Sequence, residues 1–384
     1  MAHALSGNGA DVKILNLYHE TGQPKAYVNR FGEWINYWVD YGVQGRLFNG
    51  KTKIAKLMNN LRISFAFSVR LIKWCLRFKP DCLILSRGAL EMSIPSIVIC
   101  RIFGVTLIGS IMEYGPALSG YKHINSRLEW CFLTRFCEAY FLISHYLFDI
   151  LSEKRASMYL PVLIDKNSQE NHQNGETPKT INPSLSPLAE NQKPIFLYSC
   201  SKNYESLLKF SLDSLSLVHD DYIVAVTGHY SEHEQNILKA YTKKIGIQDN
   251  VFFTGYLSEL ELDALEYRSQ ALLIPLLPEA QHKARFPQKL LHYMLKKKPV
   301  VTTDVGEISS FFKDKDTAYI CRSVTPANYA EKICGLLQNP SEASAVGERG
   351  SRFVQKNFDN MLWGERMIAF IHAVLKNPAD GKSE

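Results

Sequence analysis

The stretch that decides the fold runs from Pro275 to Glu307 and reads PLLPEAQHKARFPQKLLHYMLKKKPVVTTDVGE. An apolar strand ends at Pro275 and a loop follows. A helix is predicted to start just after Pro287, because proline suits a first helical turn. The free N–H groups of that turn and the helix dipole favour an anion, and Lys289 adds a positive charge there. The pattern therefore predicts a diphosphate site at the start of this helix.

Short apolar strands alternate with helices on both sides of this stretch. The predicted strands are residues 12–18, 82–86, 105–111 and 140–143, then 195–198, 222–227, 251–254, 271–275 and 300–302. The predicted helices are residues 54–78, 91–103 and 127–139, then 205–218, 232–245, 259–268, 288–295 and 325–338. Strands that are apolar throughout and separated by helices indicate parallel sheets covered on both faces. We therefore expect an α/β protein with two Rossmann-like, doubly wound domains facing a cleft.

A change in composition separates the two predicted domains. Residues 166–193 are rich in Asn, Gln, Glu, Ser and Pro and nearly lack large apolar residues, which is typical of a linker or long loop. The expected N-terminal domain is residues 1–165, and the expected C-terminal domain is residues 194–355.

The N-terminus is unusual for a doubly wound domain. Met1–Leu5 followed by Gly7 and Gly9 is typical of the end of a helix with a glycine cap, leading into the first predicted strand. Such a domain normally starts with a strand and a Gly-rich turn before that helix. Two interpretations remain open: the chain lacks its first strand and turn, which we prefer, or Met1 is the true start of a rearranged sheet.

Composition limits the classes of function. The 384 residues are 46% hydrophobic, enough for two packed domains, and the net charge of +6 suits an anionic ligand or an acidic membrane surface. The charge falls short of a nucleic-acid-binding footprint.

The eight cysteines form no C-x-x-C pair and mostly lie in apolar runs, which indicates a reducing, cytoplasmic compartment. The apolar stretch from Ser93 to Met112 is interpreted as a buried helix, a turn at Gly104 and a strand, because a mid-span Arg101 disfavours a transmembrane helix.

The deciding stretch also resembles a known family. Residues 285–308, RFPQKLLHYMLKKKPVVTTDVGEI, resemble the pattern FPxKLxEYxxxGKPVVxTxVGEI of the C-terminal domain of glycosyltransferase family 4. The sequence VFFTGYL at 251–257 looks like that family's base-contacting strand and loop, and YLPVLID at 159–165 looks like the close of its N-terminal domain. The resemblance extends over residues 140–375 and is weaker before them.

The resemblance implies a GT-B fold and a retaining transfer of a hexose from a nucleotide-sugar. The C-terminal domain would hold the donor, and basic residues and amides, rather than a metal or another cofactor, would stabilise the diphosphate leaving group. Residues 356–384 would form a closing helix that packs back on the N-terminal domain, followed by a tail.

Mapped onto this sequence, the pattern assigns a catalytic role to Lys289 and a donor-binding role to nine residues. Phe286 and Pro287 would lie with Lys289 at the diphosphate, Gly255 and Tyr256 near the base, and Gly228 at the border of the site. The remaining donor-binding candidates are Lys202, Glu279, Arg285 and His292. Lys289, Lys202 and Glu279 each have a plainer interpretation as solvated charges.

The sequence departs from the family pattern at two positions. The family often carries two Glu residues at the positions of Ala284 and His292, the first touching the donor sugar and the second the ribose. His292 is then either a ribose contact or a packed helix histidine. The loop after residues 195–198 offers Lys202 as its only cation where a basic pair is expected.

Two polar residues follow the strand at 105–111. In the segment SIMEYG at 110–115, Glu113 is the candidate acceptor of an acceptor-hydroxyl proton and Tyr114 the candidate acceptor-side contact. The alternative is that Glu113 caps a local turn or pairs with an arginine.

A basic, apolar segment runs from Ile63 to Lys79. Arg70, Lys73 and Arg77 share one helical face, as expected for a helix that lies on anionic lipid. The alternative, which we prefer at this stage, is a core-packed helix with a solvated basic face.

These observations predict a glycosyltransferase that moves a sugar from a UDP- or GDP-sugar to a glycan or lipid-linked acceptor in surface polysaccharide or lipopolysaccharide synthesis. It would be cytoplasmic or peripheral on the inner face of the cell membrane, and would bind no nucleic acid. Two alternatives remain: a catalytically silent GT-B subunit that partners an active transferase, and a nucleotide-sugar epimerase or hydrolase.

Overall fold

The computed structural model describes residues 1–16, 37–41, 53–86, 90–117, 124–165, 185, 188, 191–199 and 204–377. The chain forms two compact units. Unit 1 comprises Met1–Ser168, Lys283–Phe286 and Phe358–Glu384, and unit 2 comprises Gln169–His282 and Pro287–Asn357. The segment 194–355, expected as one continuous domain, is thus interrupted where four residues cluster with unit 1.

Unit 1 is a parallel α/β structure. Its described elements begin with α1 (Ala2–Gly7), β1 (Val12–Asn16), β2 (Tyr37–Tyr41), α2 (Lys53–Phe78), β3 (Cys82–Ser86), α3 (Leu90–Phe103), β4 (Thr106–Ile111), α4 (Ile124–Phe136), β5 (Ala139–Leu142), α5 (His145–Leu151) and β6 (Ala156–Tyr159). Strands β3, β4, β5 and β6 form a parallel sheet in that order, and β1 pairs with β2, also in parallel.

Unit 2 has a second parallel sheet. Its described elements are β7 (Ile195–Ser199), α6 (Glu205–Leu215), β8 (Ile223–Thr227), α7 (Glu232–Lys244), β9 (Val251–Gly255), α8 (Glu259–Arg268), β10 (Ala271–Ile274), α9 (Ala280–Lys283), α10 (Gln288–Leu295), β11 (Val300–Thr303), α11 (Ile308–Phe311), β12 (Tyr319–Cys321), α12 (Pro326–Gln338) and α13 (Pro340–Asn357). The strand order is β12-β11-β10-β7-β8-β9, with every pair parallel. Counted from the first strand of the unit, this is the Rossmann order.

Local sequence explains where these elements begin. Ser231 and Ser258 each cap a helix in unit 2, and each receives a hydrogen bond from the backbone of a glutamate three residues on, whose side chain reaches back. The strands are apolar throughout because helices cover both faces; Phe196 and Leu197 in β7 are fully buried.

The last helix, α14 (Asn360–Lys376), belongs to unit 1. It packs against α1, where the Asn8 side-chain amide donates to the carbonyls of Ala4 at 2.8 Å and Met361 at 3.0 Å. A Cβ at Gly364 would lie 2.3 Å from the Ala4 carbonyl oxygen, so only glycine permits this close helix contact.

The stretch from Ser93 to Met112 folds as the sequence predicts. Helix α3 ends at a turn in which Gly104 adopts a φ of +66°, and β4 follows. In the described part of the chain, no helix is long and apolar enough to cross a membrane.

Helix α2 is a single helix with two different apolar faces. Phe67, Leu71 and Cys75 are buried, whereas Phe65 is 73% exposed and Leu76 is 63% exposed. The core-packed interpretation of this helix is therefore incomplete, because apolar side chains also lie on its solvent side.

Several elements differ from the sequence-based predictions. Strands β2, β6 and β12 and the short helices α5, α9 and α11 were not predicted. The three helices span four to seven residues, at most two turns, which is too short to show a helical periodicity. The helix predicted at 127–139 instead spans Ile124–Phe136. Beyond its end, the Glu138 carboxylate accepts a 2.6 Å hydrogen bond from the Leu107 amide in β4.

Candidate functional site

The start of α10 places a cation at the end of the central strand of unit 2. The helix begins directly after Pro287, and Lys289 is its second residue. The Lys289 ammonium donates to the Ser199 hydroxyl at 3.1 Å and to the Ser199 carbonyl. Ser199 is the last residue of β7, so this exposed ammonium lies where ligands of parallel α/β sheets usually bind.

Two glycines meet at the neighbouring strand ends. The Gly228 amide, directly after β8, donates to the Gly255 carbonyl at the end of β9 at 3.1 Å. Gly255 has a φ of +72°, and no atom of the described residues lies within 4 Å of the position a Cβ would take, so a ligand can approach its backbone closely. The adjacent Tyr256 is 79% exposed, which leaves its ring available for stacking.

His292 lies one turn beyond Lys289 and contacts a carboxylate from the neighbouring helix. Its Nε2 is 3.0 Å from Oε2 of Glu266 in α8, and the side chains of the two residues are 52% and 1% exposed. Asp263, Glu266 and His292 offer ligand atoms within 4.8 Å of one another, the kind of group that can hold a metal. The ammonium of Lys296, however, already pairs with Asp263 and lies 3.9 Å from Glu266.

The loop between β10 and α10 carries another candidate. Glu279 is exposed, and its backbone carbonyl accepts from the His282 amide at 3.0 Å. The His282 ring is buried, with Nδ1 3.1 Å from the Leu277 amide nitrogen. The loop is thus shaped by internal contacts, while Glu279 stays on its surface.

Unit 1 carries a pocket at the end of β4. Its lining includes Ser110, Met112, Glu113, Gly115, Glu129 and Trp130. The Tyr114 ring makes edge contacts with Trp130 and with Tyr146, at centroid distances of 5.3 and 5.5 Å. The pocket therefore combines carboxylates, a hydroxyl and an aromatic side chain, a composition suited to a sugar.

Glu113 forms an ion pair in this pocket. Its Oε1 accepts a hydrogen bond from Arg285 Nη2 at 2.9 Å, and the side chains are 24% and 20% exposed. The structure thus joins two predicted site residues and realises the alternative in which Glu113 pairs with an arginine.

Phe286 lies in a packed environment. Its side chain is 3% exposed and makes an edge contact with Phe358, at a centroid distance of 5.5 Å. Phe286 therefore anchors its loop in unit 1, and its ring is not presented to a ligand. Lys202 lies outside the described residues.

The residues that sequence reasoning missed are Ser199, Glu129, Trp130, Asp263, Glu266 and Lys296. Ser199 stands at a strand end and was detectable by position. Nothing in the sequence marks Glu266 as a buried carboxylate, since it comes from a different helix from its partner His292.

Comparison with known proteins extends this description. Residues 186–353 match the family model described as "Glycosyl transferases group 1". No curated protein matches the chain in a sequence search.

Solved structures resemble the chain over nearly its whole length. Sucrose-phosphate synthase from Thermosynechococcus elongatus has a TM-score of 0.70 at 12% identity, with 98% of this chain and 92% of that chain covered. A glycosyltransferase from Rickettsia africae has a TM-score of 0.64 at 15% identity, with 89% and 86% covered. HepE from Anabaena, solved with UDP and glucose, has a TM-score of 0.63 at 13% identity, with 94% and 100% covered.

These likenesses define the fold class. The chain has the GT-B fold, with a Rossmann-like α/β arrangement in each unit, as predicted. The family model covers most of unit 2, including the start of α10 and the ends of β7, β8 and β9.

Proposed function

We propose that the chain is a retaining hexosyltransferase of the family 4 type. It would move a sugar from a UDP- or GDP-sugar to a glycan or lipid-linked acceptor in surface polysaccharide or lipopolysaccharide synthesis. The observation that carries the proposal is the Lys289 ammonium against Ser199 at the start of α10. The family-model match across this segment and the GT-B fold support transfer from a nucleotide-sugar.

The donor site would hold a diphosphate by charge and backbone amides. The first-turn amides of α10 and the Lys289 ammonium attract an anion, and they stabilise the negative charge that builds on a departing diphosphate. Tyr256 and Gly255 would face the base, because one is exposed and the other permits close approach. The reaction as proposed needs no metal or other cofactor.

The acceptor would use the pocket at the end of β4. Trp130 offers an apolar face to a sugar ring, and Glu129 and Ser110 offer hydrogen-bonding groups. Glu113 would hold the Arg285 side chain in position beside the pocket.

Helix α2 would bind the surface of an anionic membrane. The exposed apolar residues Ile54, Leu61, Phe65, Ile72 and Leu76 are spaced to share one face of α2, and exposed Lys73 and Arg77 flank that face. Such a surface supports peripheral attachment at the cytoplasmic side of the cell membrane, where a lipid-linked acceptor would be found.

The test is binding of nucleotides to the full chain without added metal. UDP, GDP, ADP and their sugar conjugates are screened by thermal shift, and hits are measured by calorimetry. A ligand at about 100 times its dissociation constant stabilises a protein by about 2.7 kcal/mol, which gives a readable shift. We expect one nucleoside diphosphate family to bind more tightly than its monophosphate.

The matched variants are Lys289→Ala and Lys243→Ala, the second an exposed lysine in α7. Lys289→Ala should weaken diphosphate binding about tenfold, corresponding to about 1.4 kcal/mol, and Lys243→Ala should leave it unchanged. Equal affinities in the two variants would remove Lys289 from the site. Binding without turnover of any sugar conjugate would support the silent subunit instead.

A further inference from the structure

Hydrogen-bond chemistry indicates which group donates and which accepts in the contact between His292 and Glu266. An ionised Glu266 carboxylate could only accept a hydrogen bond, so against it His292 Nε2, 3.0 Å from Oε2, is assigned as the donor. In the neutral imidazole the second nitrogen, Nδ1, then has a free lone pair. Glu266 thus makes the half-exposed His292 ring a hydrogen-bond acceptor.

The surroundings of Glu266 supply its counter-charge. Its side chain is 1% exposed, and the Lys296 ammonium, 3.9 Å away, is itself only 8% exposed. The Lys296 ammonium also pairs with Asp263 and lies over the Tyr267 ring, 4.8 Å from the ring centroid. A nearby cation stabilises a buried carboxylate, and one oxygen of Glu266, Oε2, lies 3.0 Å from His292 Nε2 and 3.9 Å from the Lys296 ammonium.

His292 and Lys289 are neighbours on the surface of α10. They are three residues apart, and residues at that spacing lie on the same side of a helix. In a nucleoside diphosphate the ribose is joined directly to the diphosphate. A diphosphate at Lys289 therefore brings the ribose within reach of the next turn, where His292 stands.

We propose that Glu266 is a positioning residue for ribose recognition, holding His292 as an acceptor for a ribose hydroxyl of the nucleotide donor. The FPxKLxEY pattern has a glutamate at position 292, whereas this chain has His292 there. In the proposal, the carboxylate of Glu266 in α8 acts on the ligand indirectly, through the His292 imidazole. This inference rests on the proposed nucleotide-sugar site.

The first experiment compares UDP, GDP and ADP with their 2′-deoxy and 3′-deoxy counterparts, using calorimetry on the full chain. We expect the wild type to prefer the ribonucleotide about tenfold over at least one deoxy form. Glu266→Met should abolish this preference while leaving affinity for that deoxynucleotide unchanged. Glu266→Gln keeps an acceptor oxygen and should retain part of the preference.

Two further variants separate orientation from general damage to the cluster. Asp263→Asn alters the same cluster without touching the His292 contact, and it should leave the ribose preference intact. Adding His292→Glu to Glu266→Met returns a carboxylate to position 292 and should restore the preference. Nitrogen NMR of His292 gives a readout independent of ligand: Nε2 should carry the proton in the neutral ring of the wild type and lose that bias in Glu266→Met.

The outcomes distinguish the two proposals. If no nucleotide binds the wild type, the proposed function fails and the ribose role fails with it. If nucleotides bind but Glu266→Met keeps the full ribose preference, or NMR finds the proton on Nδ1, only the role of Glu266 is overturned. Binding that needs added Mg²⁺ and falls equally in Glu266→Met and Asp263→Asn would overturn it in favour of a metal held by the cluster.

Discussion

Unit 1 and unit 2 both place charged side chains beyond the ends of parallel strands, but the charges are used differently. In unit 1, Glu113 and Arg285 neutralise each other within a partly buried ion pair. In unit 2, the Lys289 ammonium contacts neutral oxygens of Ser199 and remains exposed. An exposed cation remains accessible to an anion in solution, whereas a partly buried ion pair mainly stabilises its own loop.

In the proposed function the two places have separate tasks. The unit 2 site would bind the charged part of the donor. The unit 1 pocket is suited to bind a neutral sugar, because its net charge is reduced by the ion pair and Trp130 supplies an apolar wall. The largest effects on stability are therefore expected in unit 1, and the effects on anion binding in unit 2.

The strongest test removes one member of each charged group. Arg285→Met leaves the Glu113 carboxylate partly buried and unpaired, and it should lower the free energy of unfolding by about 1–3 kcal/mol. Lys289→Met should change it by less than about 0.5 kcal/mol, because Lys289 is exposed. Urea denaturation of the ligand-free protein measures both. Arg127→Met, at an exposed position in α4, is the control, and equal stability of the two arginine variants would contradict a structural role for the ion pair.

A smaller effect is expected at the edge of the unit 2 site. Tyr256→Ala removes an exposed ring, and it should weaken nucleotide binding about three- to tenfold, corresponding to about 0.5–1.5 kcal/mol of stacking. The unfolding free energy should not change, since the side chain is 79% exposed. Calorimetry on Leu260→Ala, another exposed site near the start of α8, serves as control. A loss of affinity in both variants would argue against a specific base contact.

The smallest effect is expected from chemical labelling of the cysteines of unit 1, which reports how accessible each thiol is in the folded protein. Burial raises the pKa of the Cys100 and Cys137 thiols to about 12, whereas Cys131, beside Trp130, is exposed. Cys131 should therefore react with iodoacetamide at neutral pH, and the two buried thiols only after unfolding. Mass spectrometry of the labelled peptides checks this, and rapid labelling of Cys137 in the native protein would show that the strands beside β4 open.

The same thiols contribute a pH dependence of stability. A raised folded-state pKa means that above the ordinary thiol pKa of about 8.5 the folded protein holds protons that the unfolded chain releases. Stability from this source is present at neutral pH and is lost as the pH rises above that value. The thermal midpoint should fall on the alkaline side, and Cys137→Ala should reduce the slope of that fall.

The α/β organisation and the start of α10 could be predicted from the sequence. Apolar strands that alternate with amphipathic helices indicate parallel sheets. The helix start after Pro287 depends on a few neighbouring residues, so the sequence alone predicts it. Short elements such as β12 could not be predicted, because a three-residue strand acquires its identity from its pairing with β11.

The same distinction applies to the candidate site: some of its residues were predicted from the sequence, and their partners were found only in the structure. The sequence singled out Lys289, Gly255, Tyr256 and His292, since each stands at or near a strand end or helix start. The partner of each charge came from elsewhere in the chain: Arg285 is 172 positions from Glu113, and Glu266 is 26 positions from His292.

The sequence by itself therefore determined the class of fold, the position of helix α10 and the types of side chain along it. These depend on periodicity and on turn chemistry, which act over a few residues. Only the tertiary structure decided that Glu113 is paired, that Phe286 is packed against Phe358, and that His292 contacts a buried carboxylate. Pairing and burial depend on which distant segments share a site, and they decide whether a charged group faces a ligand or a neighbour.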